Sequence, residues 1–405
     1  MKKKIRKGFK YKLLPNEEQK VLNAQAAGSC RYIWNNFLSL KKDKWEKNKE
    51  KISRFELDKI LTDLKKEKEW LTWVPSQVLQ QVNKDLDQAF QNFFKGFGYP
   101  KFKKKGIKDS FRLPQGISLE KSLSKRIGQV RLPKLGIVRF IKTREIEGEI
   151  KNVTISKECG DWYISFNCEI EVEIEEKTEG TAIGIDRGIK IFAACSDKTE
   201  IEGISPLKKN LNKLKKLQRK LDKKKKRSSN RLKILKKLQK AHSYIKNKRK
   251  DYLHKVTTQL SKNHRLIVLE KLKVGNMSKS AKGTIENPGK NVKAKSGLNR
   301  SILDQGWHMF QVFLEYKMKL NGGIVIYVSP KNTSIKCSKC KHIAKENRKS
   351  QSKFECVKCK FKANADYNAS LNILAEGLSV LACGVETLVS MLKQEPKMRK
   401  LIDLV

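Results

Sequence analysis

The chain has 405 residues, enough for two or three domains that each bury a core, and its 38% hydrophobic and 33% charged residues exclude a wholly disordered polymer. Its 91 Lys and Arg outnumber 42 Asp and Glu, a formal net charge of +49, so nucleic acid is the natural partner and an anionic membrane a weaker one. No apolar run approaches the roughly 18 residues that span a bilayer, and no apolar stretch follows the basic Met1-Lys2-Lys3-Lys4 start as it would in a signal peptide.

Residues 3–13 alternate weakly (Ile5, Phe9, Tyr11, Leu13) and predict one strand. Pro15 with Asn16, Glu17 and Glu18 marks a helix start, acids favouring its positive end. Ile33 with Phe37 and Trp34 with Leu38 give the i, i+4 spacing of a buried face. A second helix is expected from Pro75, with one stripe of Val78, Leu79, Val82, Leu86, Ala89, Phe90, Phe93 and Phe94. Its other faces carry Gln77, Gln80, Gln81, Lys84, Gln88 and Gln91, which suit either base edges or plain solvent.

Gly98, Pro100 and the basic-aromatic run Tyr99, Lys101, Phe102, Lys103 break this pattern, and the period then shifts towards two. Val130 to Leu132, Ile137 to Phe140 and Val153 to Ile155 read as strands of a small β domain. Trp162 to Cys168 is expected to pair with Val153 to Ser156 through a turn at Cys159-Gly160-Asp161. The acidic stretch 169–179 reads as a strand entering a linker.

Residues 181–195 and 265–271 look like buried strands flanking a basic helical hairpin, with Leu207, Leu211, Leu214, Leu217 and Leu221 facing Leu232, Leu235 and Leu238. Residues 271–300, rich in Gly, Asn, Ser and Lys, predict a mobile loop. A helix from Trp307 to Leu320 and a strand from Ile324 to Val328 should follow.

Cys337-x-x-Cys340 and Cys356-x-x-Cys359, fifteen residues apart, have zinc-ribbon spacing. Four thiolates close the coordination shell of Zn2+, so that zinc would be structural. Lys341 and Lys360 follow the pairs, where such knuckles often have Gly, and His342 is expected to be exposed. The other cysteines, Cys30, Cys159, Cys168, Cys195 and Cys383, stand alone, which suits a reducing cytoplasm.

Asp366 lies seven residues beyond the last ribbon cysteine, Asp186 ends the apolar run Ala182 to Ile185, and Glu270 ends the run Leu266 to Leu269. If their elements converge, three carboxylates would suit Mg2+, which prefers hard oxygen ligands. A pair of such ions can activate water and stabilise the leaving oxygen in phosphodiester hydrolysis. An Asp closing a strand is also an ordinary turn former.

In this order, the residues resemble the TnpB family of transposon-encoded RNA-guided nucleases, relatives of compact type V CRISPR effectors. Gly184-Ile-Asp-Arg-Gly188 is similar to the first RuvC motif, Val268-Leu-Glu270 to the second, and Asn364-Ala-Asp-Tyr-Asn-Ala-Ser-Leu-Asn-Ile373 to the third. Asn332-Thr-Ser-Ile-Lys-Cys337 through Cys359 resembles the family's ribbon. Gly98 to Phe102, Arg249 to Lys255, and Ala382-Cys-Gly384 ahead of Lys393-Gln-Glu395 extend the likeness. Two departures stand out: Arg187 where an apolar residue is usual, expected to face solvent or phosphate, and His308 where a small one is common.

The resemblance implies an α/β multidomain protein: an RNase H-like RuvC domain with an inserted zinc ribbon, plus an N-terminal β-barrel-like domain with a helical insertion. The expected divisions are a wedge-like β domain at 1–14 and 96–172, and a helical recognition domain at 15–95. A RuvC-like domain would fill 173–336, with its basic hairpin at 205–260. The ribbon at 337–362, a last RuvC segment at 363–380 and a tail at 381–405 complete the chain. The resemblance also implies catalytic Asp186, Glu270 and Asp366, a monomer in complex with guide RNA from the transposon end, and double-stranded DNA cut beside a short adjacent motif. Gln77, Gln80, Lys84, Lys101 and Lys103 are expected nucleic-acid contacts, and the location a prokaryotic cytoplasm, at the nucleoid. A DNA-only transposase or integrase, and a nuclease-dead RNA-guided DNA-binding protein, are the alternatives.

Overall fold

The computed structural model describes residues 2–106, 109–175, 177 and 180–394, with side chains of the last helix described as far as Cys383. Of the motif residues, Gly384, Lys393, Gln394 and Glu395 therefore lie outside the described side chains. Two compact units divide the chain, 2–173 and 174 onwards.

The first unit opens with strand β1 (Lys2–Leu14), then helices α1 (Glu17–Asn48), α2 (Arg54–Glu67) and α3 (Ser76–Phe94). Strands β2 (Ser110–Leu113), β3 (Ser118–Ser124), β4 (Ile127–Leu132), β5 (Gly136–Ile141), β6 (Glu149–Glu158) and β7 (Asp161–Glu173) complete it. All seven strands form one antiparallel sheet in the order β2-β6-β7-β1-β5-β4-β3, so its backbone pairing has two ends among the described residues. The expected turn is present: Ser156 pairs with Tyr163 and Ile155 with Ile164. One face of β1 buries Phe9, Tyr11 and Leu13 against Phe140 and Phe166, while the intervening lysines point away.

Helix α1 starts where Asn16 accepts from the Gln19 N–H and Gln19 returns the bond to the Asn16 N–H. Ile33, Trp34, Phe37 and Leu38 are buried, as their spacing predicts. Helix α2 corrects the expectation that the second helix begins near Pro75. It carries its own capping box, Ser53 with Glu56, and buries Leu57 and Leu61 one turn apart. In α3 the apolar stripe holds from Val78 to Leu86 but not to its end, because Phe93 and Phe94 are exposed.

The second unit contains β8 (Thr181–Asp186), β9 (Ile191–Cys195), β10 (Glu200–Glu202), α4 (Pro206–Asp222), α5 (Ser229–Asn263) and β11 (His264–Glu270). After these come α6 (Val274–Met277), α7 (Val292–Gln305), α8 (Trp307–Leu320), β12 (Ile324–Val328), β13 (Lys353–Glu355), β14 (Lys362–Asn364) and α9 (Ala365–Gln394). The main sheet runs β10-β9-β8-β11-β12, with β11 parallel to both neighbours and β9 antiparallel to β8. Strands β8 and β11 are buried on both faces, which explains their continuous apolar runs.

The α4–α5 hairpin closes on Leu214, Leu221, Leu238 and Ile245; Leu232 is exposed and Ile234 packs instead, a shift in the expected stripe. Asp304 caps the start of α4 from a distance, accepting from the Leu207 and Lys208 N–H groups. Arg249 of α5 grips the same carboxylate at 2.5 Å, so Asp304 ties the start of α4 to the middle of α5. Helix α7 corrects the expected loop at 271–300: from Val292 it is helical and buries Ile302. Helix α9 likewise runs to Gln394, through much of the expected tail.

Candidate active site

Two glycines bring α9 against the sheet. A Cβ on Gly184 would lie 2.3 Å from the Ser370 carbonyl oxygen and 2.6 Å from the Leu374 nitrogen, and one on Gly377 would lie 2.4 Å from the Val268 side chain. Hydrogen at these positions lets helix backbone touch strand. The first turn of α9 is thereby set near the C-terminal ends of β8 and β11.

Those ends carry carboxylates. The parallel register pairs Leu269 with Ile185, so Glu270 and Asp186 follow at the ends of neighbouring strands. Asp366 is the second residue of α9, where the Asn364 side chain caps its N–H at 2.9 Å. Burial, then the charges of Glu270 and Asp366, push the Asp186 carboxyl up to about 7, while Arg348 and Arg187 pull against the rise. The structure thus brings the three carboxylates singled out in the sequence into electrostatic contact. Their oxygens do not gather as tightly as a single-ion cage; among the described residues only the cysteines place all their ligand atoms within 4.8 Å of one another.

Partners hold the carboxylates. Thr333 donates its hydroxyl to Glu270 Oε1 at 2.6 Å, and Glu270 is 8% exposed. Arg348, from the segment between the cysteine pairs, reaches Asp366 at 3.3 Å. Arg187 overturns the expectation of a solvent-facing strand end: it is 6% exposed and donates to the Glu270 carbonyl. Burial lowers its pKa, and the charges of Glu270, Tyr327 and Asp186 oppose that. His308 is exposed. The sequence marks neither Arg348 nor Thr333 for a role, Arg348 because it is one cation among many in a lysine-rich segment.

Cys337, Cys340, Cys356 and Cys359 converge, with Sγ separations of 3.6 Å for Cys337–Cys359 and 3.5 Å for Cys340–Cys356. Each pair makes the same turn: Lys341 N–H returns to the Cys337 carbonyl, and Lys360 N–H to the Cys356 carbonyl. Lys341 and Lys360 hold φ of 63° and 58°, so lysine takes the left-handed conformation for which glycine is the usual choice. His342 is half-buried rather than exposed, and its carbonyl accepts from Cys337 N–H. An all-thiol set of four donors fits a closed tetrahedral zinc shell.

Gln80 and Lys84 lie one turn apart on α3, both exposed, with Gln77 half-buried on the same side. Lys101 is exposed and its carbonyl accepts from the Trp34 indole N–H at 3.0 Å. Lys103 is exposed, and its ammonium sits 3.8 Å from the Trp34 ring centroid, where desolvation lowers its pKa. Its charge is directed at the protein's own ring.

Three family models match the chain: "Probable transposase" over residues 165–281, "Cas12f1-like, TNB domain" over 307–373, and "Helix-turn-helix domain" over 1–50. A protein of Escherichia coli (strain K12), "Putative RNA-guided DNA endonuclease InsQ", is 47% identical over 393 residues, covering 96% of each chain. The chain belongs to the TnpB family. A "Putative RNA-guided DNA endonuclease" of Streptomyces pristinaespiralis is 30% identical over 395 residues, 95% of this chain and 92% of that one. In fold, the chain is similar to the protein solved as "Cryo-EM structure of the Cas12f1-sgRNA-target DNA complex", with a TM-score of 0.56 at 15% identity, over 92% of this chain and 99% of that one. The helix-turn-helix description does not fit what the described residues of that match, 2–50, form, which is strand β1 and the single helix α1. Among the described residues, no helix is long and apolar enough to cross a membrane.

Proposed function

We propose that this TnpB-family chain is an RNA-guided DNA endonuclease, cutting double-stranded DNA beside a short adjacent motif. The observation that carries the reading is the convergence of Asp186, Glu270 and Asp366, close enough that burial and their mutual charge raise the Asp186 carboxyl to about 7. Crowded carboxylates with too little neighbouring positive charge are the electrostatic condition that a divalent cation relieves. The names of two relatives, at 47% and 30% identity, supply the RNA-guided class.

In this reading the sheet β10-β9-β8-β11-β12 with α9 is the RNase H-like RuvC domain, interrupted before α9 by the ribbon. The seven-stranded sheet of the first unit is the barrel-like wedge, and residues 15–95 its recognition insertion. Asp186, Glu270 and Asp366 would hold a pair of Mg2+ ions by hard oxygen donors, and the four cysteines a structural Zn2+. Bound magnesium supplies a polarised phosphate and an activated water for in-line displacement. With cations held there, Asp186 would serve as a carboxylate ligand, the cation charge offsetting the repulsion from Glu270 and Asp366. Thr333 keeps Glu270 Oε1 oriented, and Arg348 stands beside Asp366 where a phosphate's charge would compete for it.

Guide RNA from the transposon end would choose the target by base pairing, with the protein acting as a monomer in the prokaryotic cytoplasm, on nucleoid DNA. Gln77, Gln80 and Lys84 present amide and ammonium groups to the adjacent motif, and Lys101 adds a cation for phosphate. Replacing any of Asp186, Glu270 or Asp366 with Ala should lower cleavage at least ~1,000-fold while target binding by the RNA-loaded protein survives. Full magnesium-dependent cutting by Asp186→Ala in a plasmid-linearisation assay would contradict the site.

A further inference from the structure

We infer that Thr333 is a positioning residue for Glu270, and that α9 fixes it, so that the helix presenting Asp366 also sets the second carboxylate. This rests on the reading of Glu270 as a cation ligand. Thr333 and Glu270 are 4% and 8% exposed, and the Thr333 hydroxyl lies 2.6 Å from Glu270 Oε1 but 3.4 Å from the Pro330 carbonyl. A hydroxyl has one proton to give, and the shorter contact to a charged acceptor takes it. Glu270 Oε1 is thereby engaged, and the directional bond restrains the carboxylate that would meet a cation.

The segment bearing Thr333 is itself held from α9. Asn372 donates to the Thr333 carbonyl at 3.0 Å and to the Lys336 carbonyl at 2.7 Å. One turn earlier, Asn368 donates to the same Lys336 carbonyl at 2.9 Å and accepts from Ser338 N–H at 3.0 Å. Both asparagines are buried, at 0% and 4% exposure for Asn368 and Asn372. Buried amides spent on backbone of one short segment specify where that segment lies. On the other side of Glu270, buried Arg187 donates to its backbone carbonyl. The strand end, the ribbon stem and the start of α9 are thus one hydrogen-bonded frame, and Thr333 is its contact with the carboxylate.

The test compares Thr333→Val, which keeps the shape and removes the donor, with Thr333→Ser, which keeps the donor. Cleavage by guide-loaded protein is followed against magnesium concentration, with zinc content and melting temperature measured alongside. Loss of a ligand's hydrogen-bonding partner typically costs about 10–100-fold in metal affinity or activity. Thr333→Val should raise the half-saturating magnesium concentration by about that factor, and Thr333→Ser should restore it to within roughly threefold. Manganese titration of the RNA-free variants, read by electron paramagnetic resonance, should show the same weakening without any turnover. An unchanged magnesium midpoint in Thr333→Val overturns the inference, as does a loss of activity that only tracks lost zinc or lost folded protein. Should Thr333→Val melt early, Thr333→Ala in the manganese titration decides: wild-type affinity overturns the inference and weakened affinity supports it. A Glu270→Gln control separates the two claims, since full cleavage by that variant would remove the site reading itself.

Discussion

Asp186 shows at the level of one residue what the site does to its own stability. A carboxyl with a folded-state pKa near 7 stands above its unfolded value of ~3.9, so it favours folding while protonated. That contribution is complete below about pH 4 and is lost as pH rises through about 7. Asp186→Asn, which cannot ionise, should therefore melt several degrees above the wild type at pH 8 in magnesium-free buffer, with the two converging near pH 4. Equal melting temperatures at pH 8, followed by circular dichroism, would show that burial and the neighbouring carboxylates do not raise the Asp186 carboxyl as described. Gln80 offers a second test at this scale. Loss of a good bidentate base contact costs about 1–3 kcal/mol, so Gln80→Ala should relax adjacent-motif preference in a randomised-flank cleavage assay while guide-RNA affinity holds. An unchanged motif profile would return that face to plain solvent exposure.

Among elements, what sequence makes readable is whatever has a short period or a rigid spacing. The two cysteine pairs declare a four-sulfur cluster because only a few residue separations allow four sulfurs to meet. Strands β8 and β11 declare themselves through apolar runs that end in acids. Helix α2 stays hidden because only Leu57 and Leu61 of its fourteen residues are buried, although Ser53 and Glu56 carry its start signal. Helix α7 is hidden by the Gly, Asn and Ser within it, where propensity argues for loop and packing of Ile302 decides otherwise. Arg187 misleads for a related reason: a charge after a strand suggests solvent, and only the fold reveals the carbonyl it pairs with. The role of Gly184 is equally invisible, because it depends on a helix nearly 190 residues later in the chain. Adding a methyl there meets backbone rather than a movable side chain, and overpacking of this kind costs about 1–3 kcal/mol. Gly184→Ala should push α9 off β8, lower the melting temperature and reduce cleavage at least ~10-fold, with guide-RNA binding retained. Wild-type cleavage by that variant would mean that α9 does not need its contact with the strand.

For the whole molecule, a formal charge of +49 makes indiscriminate binding the default behaviour, with affinity falling steeply as salt rises. Selectivity must come from elsewhere, and in the proposed reading base pairing with a bound RNA would supply it without any base-reading surface of matching length. In that reading, pairing would nucleate beside the adjacent motif, so that mismatches there should abort binding while distal ones mainly impair cleavage. The most direct measurement is plasmid cleavage by protein treated with RNase and repurified, with and without an added guide matching one site. Double-strand cutting at that site should appear only with the matching guide and magnesium. Site-specific cutting by the RNase-treated protein alone would contradict RNA guidance and favour a recombinase that recognises DNA directly.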